Sequence, residues 1–293
     1  MKYLLLLLVL FASCADHNPG TNVIVNECYK LKAITRAKHA VQPGEWRSAY
    51  KEAPEPFAAY CARKPTAATA QRRKLYVVQL GAFDPAAIAI LEQTKAYLQA
   101  FFQMPVAELD PVDSAIIARQ YWRSNTHGPQ IKTAVLLDSL LPALLPDSAF
   151  ALIAFSCYDL YPDEDWNFVF GQASLERRVG VWSLARLGDY KASPALYRQC
   201  LKRMLQVSAH ETGHMFGITH CVQNECCMNG SNSLAESDGQ PLWLCWECQA
   251  KICWNRQVAP LKPISALLDF YQKTNLDTAA TSYYTQALHL LKR

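Results

Sequence analysis

The chain has 293 residues, 51% of them hydrophobic and 18% charged, a balance that belongs to folded globular proteins and excludes a disordered one. A formal net charge of +4 with scattered basic residues gives no electrostatic footprint for nucleic acid. At this length one enzyme-sized domain, or one domain with a small appendage, is expected.

The N-terminus opens on Lys2, an apolar run over residues 4–11, and then Ala12-Ser13-Cys14. A positive start, a short hydrophobic stretch and small residues form a secretory signal, too short to span a bilayer. Phe11-Ala12-Ser13-Cys14 also resembles a bacterial lipobox, which would make Cys14 the lipidated first residue of the mature chain; an ordinary cut after Ala15 is the alternative. The expected address is therefore export to the cell envelope, with a bacterial membrane as partner through the lipid. Residues 15–45 are polar and turn-rich and are expected to form a tether. Residues 46–73, with Pro54, Pro56 and Pro65, are expected to form an irregular extension.

Regular patterning starts at Lys74. A β-rich run over 75–80 is closed by Gly81, the signature of a buried strand. Asp84-Pro85 then starts a helix whose Ile88, Leu91, Tyr97, Leu98 and Phe101 keep helical spacing. A weaker strand is expected at 106–109, a helical segment at 133–141, and a strand covered on both faces at 150–155. Two more strands are expected at 168–171 and 179–184. Ser193-Pro194 supplies a cap and a first-turn proline for a long helix reaching Phe216. This order describes a sheet subdomain over 74–217 followed by a smaller one over 218–293. Two amphipathic helices, at 264–273 and 282–292, are expected to pack on that smaller part.

The long helix ends in His210-Glu211-Thr212-Gly213-His214-Met215-Phe216-Gly217-Ile218-Thr219-His220-Cys221. Histidines four apart share one helix face about one turn apart, so both imidazoles can reach one ion. Gly217 can take the left-handed conformation that turns the chain back, bringing in His220 as a third ligand. Three protein ligands leave the fourth position of a tetrahedral zinc open, the catalytic arrangement. Glu211, beside the first ligand, can approach the water there without binding the metal. Its competing role is to orient water in a protein that binds without cutting.

Cysteine is the other informative residue, with 11 in the chain. Cys221, Cys226, Cys245 and Cys248 have the C-x4-C and C-x2-C spacing of a closed structural zinc site; two disulfides compete, and Cys227 could replace Cys226. Of the remaining cysteines, Cys28 and Cys61 are a candidate disulfide, whereas Cys157 and Cys200 lie in apolar runs and are expected to be buried thiols. Met228 is expected in the core, and Glu236 and Asp238 in solvent.

The string HExxHxxGxxHC-x4-C-x-M, followed by CxxC, resembles the archaemetzincins of the metzincin clan. So do Asn167-Phe168-Val169-Phe170-Gly171 and Ser183-Leu184-Ala185-Arg186-Leu187, and the likeness covers roughly residues 74–260. The resemblance implies an α/β (α+β) fold: a mixed twisted sheet with an active-site helix, plus a small zinc-stabilised C-terminal subdomain. It implies two zinc ions, one catalytic on His210, His214 and His220 and one structural on the four cysteines, with Met228 forming a turn beneath the site. The edge strand near 168–172 would hold an extended peptide by β-augmentation. The activity implied is hydrolysis of peptide bonds in peptide or protein substrates, by zinc-activated water with Glu211 as general base and acid. The alternatives from other classes are an exported zinc-dependent peptide-binding protein without turnover and a zinc-stabilised envelope scaffold.

Overall fold

A computed structural model describes residues 19–126 and 128–293. Lys2 and Cys14, and with them the signal and lipidation readings, lie outside these residues. The chain runs α1 (Pro19–Lys30), a 3-10 turn (Leu31–Ile34), α2 (Trp46–Ala49) and α3 (Phe57–Ala62) before β1 (Lys74–Leu80). Then come α4 (Pro85–Phe102), β2 (Val106–Glu108), β3 (Trp122–Asn125) and β4 (Gly128–Lys132). Next, α5 (Thr133–Val135) and α6 (Leu141–Leu144) flank a π-turn, Leu136–Leu140, ahead of β5 (Ala149–Ser156) and β6 (Asp159–Tyr161). The sequence closes with β7 (Gly171–Ser174), β8 (Val179–Ser183), α7 (Pro194–Met215), α8 (Leu234–Asp238), α9 (Trp246–Arg256), α10 (Leu261–Thr274) and α11 (Thr278–Leu291).

The main sheet has the order β2-β1-β5-β8-β7, parallel except at the β7 edge. All eight residues of β5 are buried, because this central strand is covered on both faces. Alternation divides its side chains: Ala151, Ile153 and Phe155 enter the core under α4 and α7, while Leu152 and Ala154 face the opposite layer. That opposite layer is a second sheet, β3-β4-β6, with the helical segment carrying Leu136, Leu137 and Leu141.

Three expectations are corrected here. Residues 19–34, expected as a tether, form a helix and a 3-10 turn against α9 and α11. Cys28 and Leu31 are fully buried there, and two burying anchors suffice to dock a short amphipathic segment. Residues 168–170 are not strand: β7 starts only at Gly171. Side chains take the carbonyls just ahead of it, Arg123 donating to Trp166 O and Asn167 O, and Gln130 to Asn167 O. Finally, α10 is not confined to the C-terminal part: besides packing on α11 it reaches α4, with Tyr97 against Phe270 and Tyr271 at ring separations of 5.4 and 6.1 Å. Tyr283 and Tyr284 of α11 hold the loop before α9 through Leu244 O and Leu242 O.

Asp84 fixes the start of α4. Its Oδ1 accepts from the N–H groups of Ala86 and Ala87 at 3.0 and 2.9 Å, and its Oδ2 binds Lys191 and Tyr190. The Lys191 ammonium, above all, holds this carboxyl down at about 2. Asp84→Ala is expected to cost about 0.5–2 kcal/mol in urea denaturation at neutral pH. Because the folded pKa is depressed, the contribution is present above the unfolded carboxylate value of about 3.9. It should fade as pH falls toward 2, so wild type and variant should converge in acid.

Candidate metal centre

Helix α7 begins where the Ser193 hydroxyl accepts the Leu196 N–H at 3.2 Å, with Pro194 in the first turn. Its last turns place His210 and His214 side by side, the two Nε2 atoms 3.0 Å apart. The helix then stops at Phe216, whose ring stacks on Phe102 and Phe150 at 4.9 and 4.3 Å. Gly217 follows with φ +78°, in the left-handed region, and its N–H bonds to His214 O at 2.7 Å. A Cβ there would also lie 2.8 Å from Pro65 Cβ, so both backbone and space require glycine. The reversal swings His220 back until its ring is 5.2 and 4.9 Å from those of His210 and His214.

One ligand nitrogen from each of the three histidines fits within 4.8 Å of the others. Every Nδ1 is engaged on the outside: His210 with Cys227 O at 2.9 Å, His214 with Ile218 O at 2.6 Å, His220 with Glu52 Oε1 at 2.8 Å. Each ring thus donates from Nδ1 and keeps a lone pair on Nε2. Burial pushes all three imidazoles toward the neutral form, assisted at His210 and His220 by the neighbouring histidine charges. Neutral, convergent and outwardly tied imidazoles fit a zinc ion. Beside them, burial pushes Glu211 up to about 7, with His220 opposing.

Just beyond, Cys221, Cys226, Cys245 and Cys248 bring their four sulfurs within 4.8 Å of one another. The ten cysteines among the described residues are free thiols, so neither the two-disulfide alternative nor the Cys28–Cys61 pair is present. Cys28 faces Cys253 instead, and Cys200 is a buried thiol. Cys227 stays outside the sulfur cluster; it serves the site through its carbonyl on His210. The three cysteine neighbours of Cys221, Cys226 above all, hold its thiol far below the ordinary value. Cys245 is the N-cap residue of α9 and Cys248 sits in its first turn, so the start of one helix brings two of the four sulfurs to the cluster. Buried Asn229 braces the loop by accepting the Cys226 N–H at 3.0 Å and donating to Asn224 O at 2.8 Å. A four-sulfur set suits a closed structural zinc.

Met228 is fully buried beneath the histidine helix. Of the two acidic residues expected in solvent, Asp238 pairs with Arg203 at 2.6 Å. Glu236 is a tie as well: it accepts the Trp46 N–H at 3.0 Å and the Asn232 N–H at 2.7 Å. A cleft of about 520 Å³ runs over the histidines and Glu211, lined by Phe168, Phe170, Val207 and Leu234 and by Trp46 and Tyr50. A larger hollow of about 780 Å³ lies beyond Arg203 and contains none of the histidines. Glu52, Trp46 and Tyr50 were not legible as site residues. They lie in an irregular stretch far from the ligands in sequence, and no spacing rule connects them.

A helix presenting two imidazoles and a carboxylate, a glycine turn supplying a third imidazole, and a mixed sheet above them define a metallopeptidase of the metzincin type. Residues 147–253 match the model of peptidase family M54. The human archaemetzincin-2 is 30% identical over 279 residues, covering 83% of this chain and 77% of that one. The mouse protein of the same name is 32% identical over 278 residues, with the same coverage. The crystal structure of an archaemetzincin from Methanopyrus kandleri superposes with a TM-score of 0.52 at 28% identity, covering 64% of this chain and 97% of that one. The chain belongs to the archaemetzincin family. It is a zinc metallopeptidase, and its substrates are peptides or proteins.

Gly213 lies where the helix crosses Met228: a Cβ there would sit 2.5 Å from Met228 Sδ and 3.0 Å from its Cε. Alanine ordinarily adds about 1 kcal/mol to a helix interior relative to glycine. Here overpacking should outweigh that, so Gly213→Ala is expected to destabilise by about 1–2 kcal/mol net in urea denaturation. Adding Met228→Ala to the same chain should relieve the collision and show as strong non-additivity.

Proposed function

We propose that the chain cleaves peptide bonds through Glu211, with His210, His214 and His220 holding a catalytic zinc and Cys221, Cys226, Cys245 and Cys248 a structural one. The observation that carries this reading is the convergence of three neutral imidazoles, each tied at Nδ1, beside a carboxyl raised by burial. When bound, zinc supplies a Lewis acid that polarises a carbonyl and acidifies water. Glu211 takes a proton from the water as its oxygen bonds to the scissile carbonyl carbon. It then returns that proton to the amine nitrogen as the C–N bond breaks. A carboxyl whose pKa lies near neutrality is matched to accept and release one proton in the same cycle.

The substrate would lie extended along the outer side of β7, the last strand of its sheet, where backbone groups without a ladder partner can bind another strand. Phe168, Phe170, Val207 and Leu234 then face the residues flanking the cut. They favour peptides with bulky apolar side chains there. Cys221, Cys226, Cys245 and Cys248 would hold a zinc that ties the loop from Cys221 to α9, and four sulfur ligands would leave it no open position for chemistry.

Cleavage of a diverse peptide mixture, read by mass spectrometry, tests the catalytic assignment. Glu211→Gln is expected to reduce cutting by about 10²–10⁴-fold while metal analysis still finds two zinc ions per chain. Cys226→Ser should retain one zinc ion and melt at a lower temperature, since structural zinc is linked to folding. Undiminished cleavage by Glu211→Gln would remove it from the mechanism. Wild-type protein with one ion would remove the structural zinc.

We propose separately that the protein is exported to the cell envelope and lipid-anchored; Lys2, the apolar run and Cys14 support this. Cys14→Ala is expected to move the protein from the membrane pellet to the soluble fraction; unchanged sedimentation with membranes would sink the lipid anchor.

A further inference from the structure

The three histidines differ in who holds them. His210 and His214 donate from Nδ1 to carbonyls of the catalytic unit itself, Cys227 O and Ile218 O. His220 donates instead to a side chain 168 residues earlier, the Glu52 carboxylate. That carboxylate is fixed at both oxygens, because the Trp46 indole N–H donates to Oε2 at 2.9 Å. Trp46 also meets the His220 ring edge-on at 4.9 Å and stacks on Tyr50 at 4.0 Å. Its backbone N–H is gripped by Glu236 in the C-terminal part, at 3.0 and 3.2 Å to the two oxygens. Beneath the indole lies Gly230, where a Cβ would stand 2.5 Å from Trp46 Cδ1. The segment is seated in a shaped position and not laid over the surface.

We propose that residues 46–52 are part of the catalytic centre, with Glu52 the positioning residue that holds His220 in its Nδ1–H form and aims Nε2 at the metal, and with Trp46 and Tyr50 lining the cleft that Phe168 and Phe170 also line. The proposal rests on the metallopeptidase reading and adds to it a component from outside the helix and its following loop. The segment's own register supports it. Tyr60 and Arg63, eight and eleven residues after Glu52 in the sequence, donate to Phe216 O at 2.8 Å and Gly217 O at 2.6 Å. The extension therefore caps the last carbonyls of the active helix and ties its third histidine in one continuous stretch. A carboxylate on the far nitrogen of a ligating histidine fixes the tautomer and ring plane, and its loss typically lowers metal affinity 10–100-fold.

Magnitudes separate this role from a structural one. The Glu52 side chain is 34% exposed and that of His220 16%, so the pair adds little to folding stability. Its effect should appear in metal affinity and not in the melting of the metal-free chain. The test is zinc release from the full chain against increasing chelator, for Glu52→Ala, Glu52→Gln and Glu45→Gln. Glu45 directly precedes the segment and pairs with His39 and Arg47, so it controls for disturbance of the chain around it.

The expected result is a histidine-site zinc affinity about tenfold or more lower in Glu52→Ala. Glu52→Gln should recover part of it, because an amide oxygen still accepts from Nδ1. The thiolate-site step, the melting temperature of the metal-free chain and the Glu45→Gln titration should all match wild type. Wild-type affinity in Glu52→Ala would overturn the proposal, and so would an equal loss in Glu45→Gln. Wild-type protein that releases only thiolate-bound zinc would overturn the histidine centre itself, a failure distinct from that of Glu52 alone.

Discussion

Three imidazoles can share one ion only when each turns an unprotonated nitrogen inward, and here a bond from Nδ1 on the outside leaves Nε2 free on every ring. Two of the outward bonds, to Ile218 O and Cys227 O, exist because the chain reverses at Gly217 and returns beneath its own helix. That return is held in turn by Cys221 N–H on Met228 O at 2.8 Å and by the brace of Asn229. The sulfur cluster and the histidine cluster are thus consecutive knots on one loop, Cys221 directly following His220. Loosening the first would let the second lose its geometry without touching a histidine.

The helix carrying His210 and His214 is itself immobilised by the sheet. Its apolar face, with Leu201, Met204 and Leu205, is buried with the inner residues of β1 and β5 and with α4. Stacking of Phe216 between Phe102 and Phe150 pins the end of the helix at the point where the chain must turn. Aromatic contact of this kind is directional, which suits a position that decides where His220 points. Burial does two jobs at once. It fixes the ligands in space, and it keeps the imidazoles neutral and Glu211 near neutrality.

The parts legible in the sequence were those with strong periodicity or fixed spacing. His210 and His214 at helical spacing, the glycine stop, the fully apolar β5 and the Ser193-Pro194 start each carry their geometry in adjacent residues. The sheet β3-β4-β6 escaped notice because its strands are short and bear Arg123, Ser124, Asn125 and Gln130, residues with little strand preference. The edge strand begins three residues later than expected because Val169 pairs instead with Leu160 of β6, in an isolated bridge. The docking of α10 on α4 and the partnership of Glu52 with His220 are tertiary facts. No local pattern distinguishes Glu52 from Glu55, which instead binds Arg63 and Lys251.

The bonds joining residues 46–66 to the active helix, the cysteine loop and α9 span separations of 154 to 196 residues. Closing loops of that length is slow, and contacts across them form only after most of the intervening chain is in place. In a small zinc finger the ion gathers an otherwise unfolded peptide. Here the full histidine set, with all three rings oriented, exists only once the early extension has met a helix made far later. The bond from His220 to Glu52 is therefore among the last that a growing chain can make, since it must wait for a residue 168 positions later.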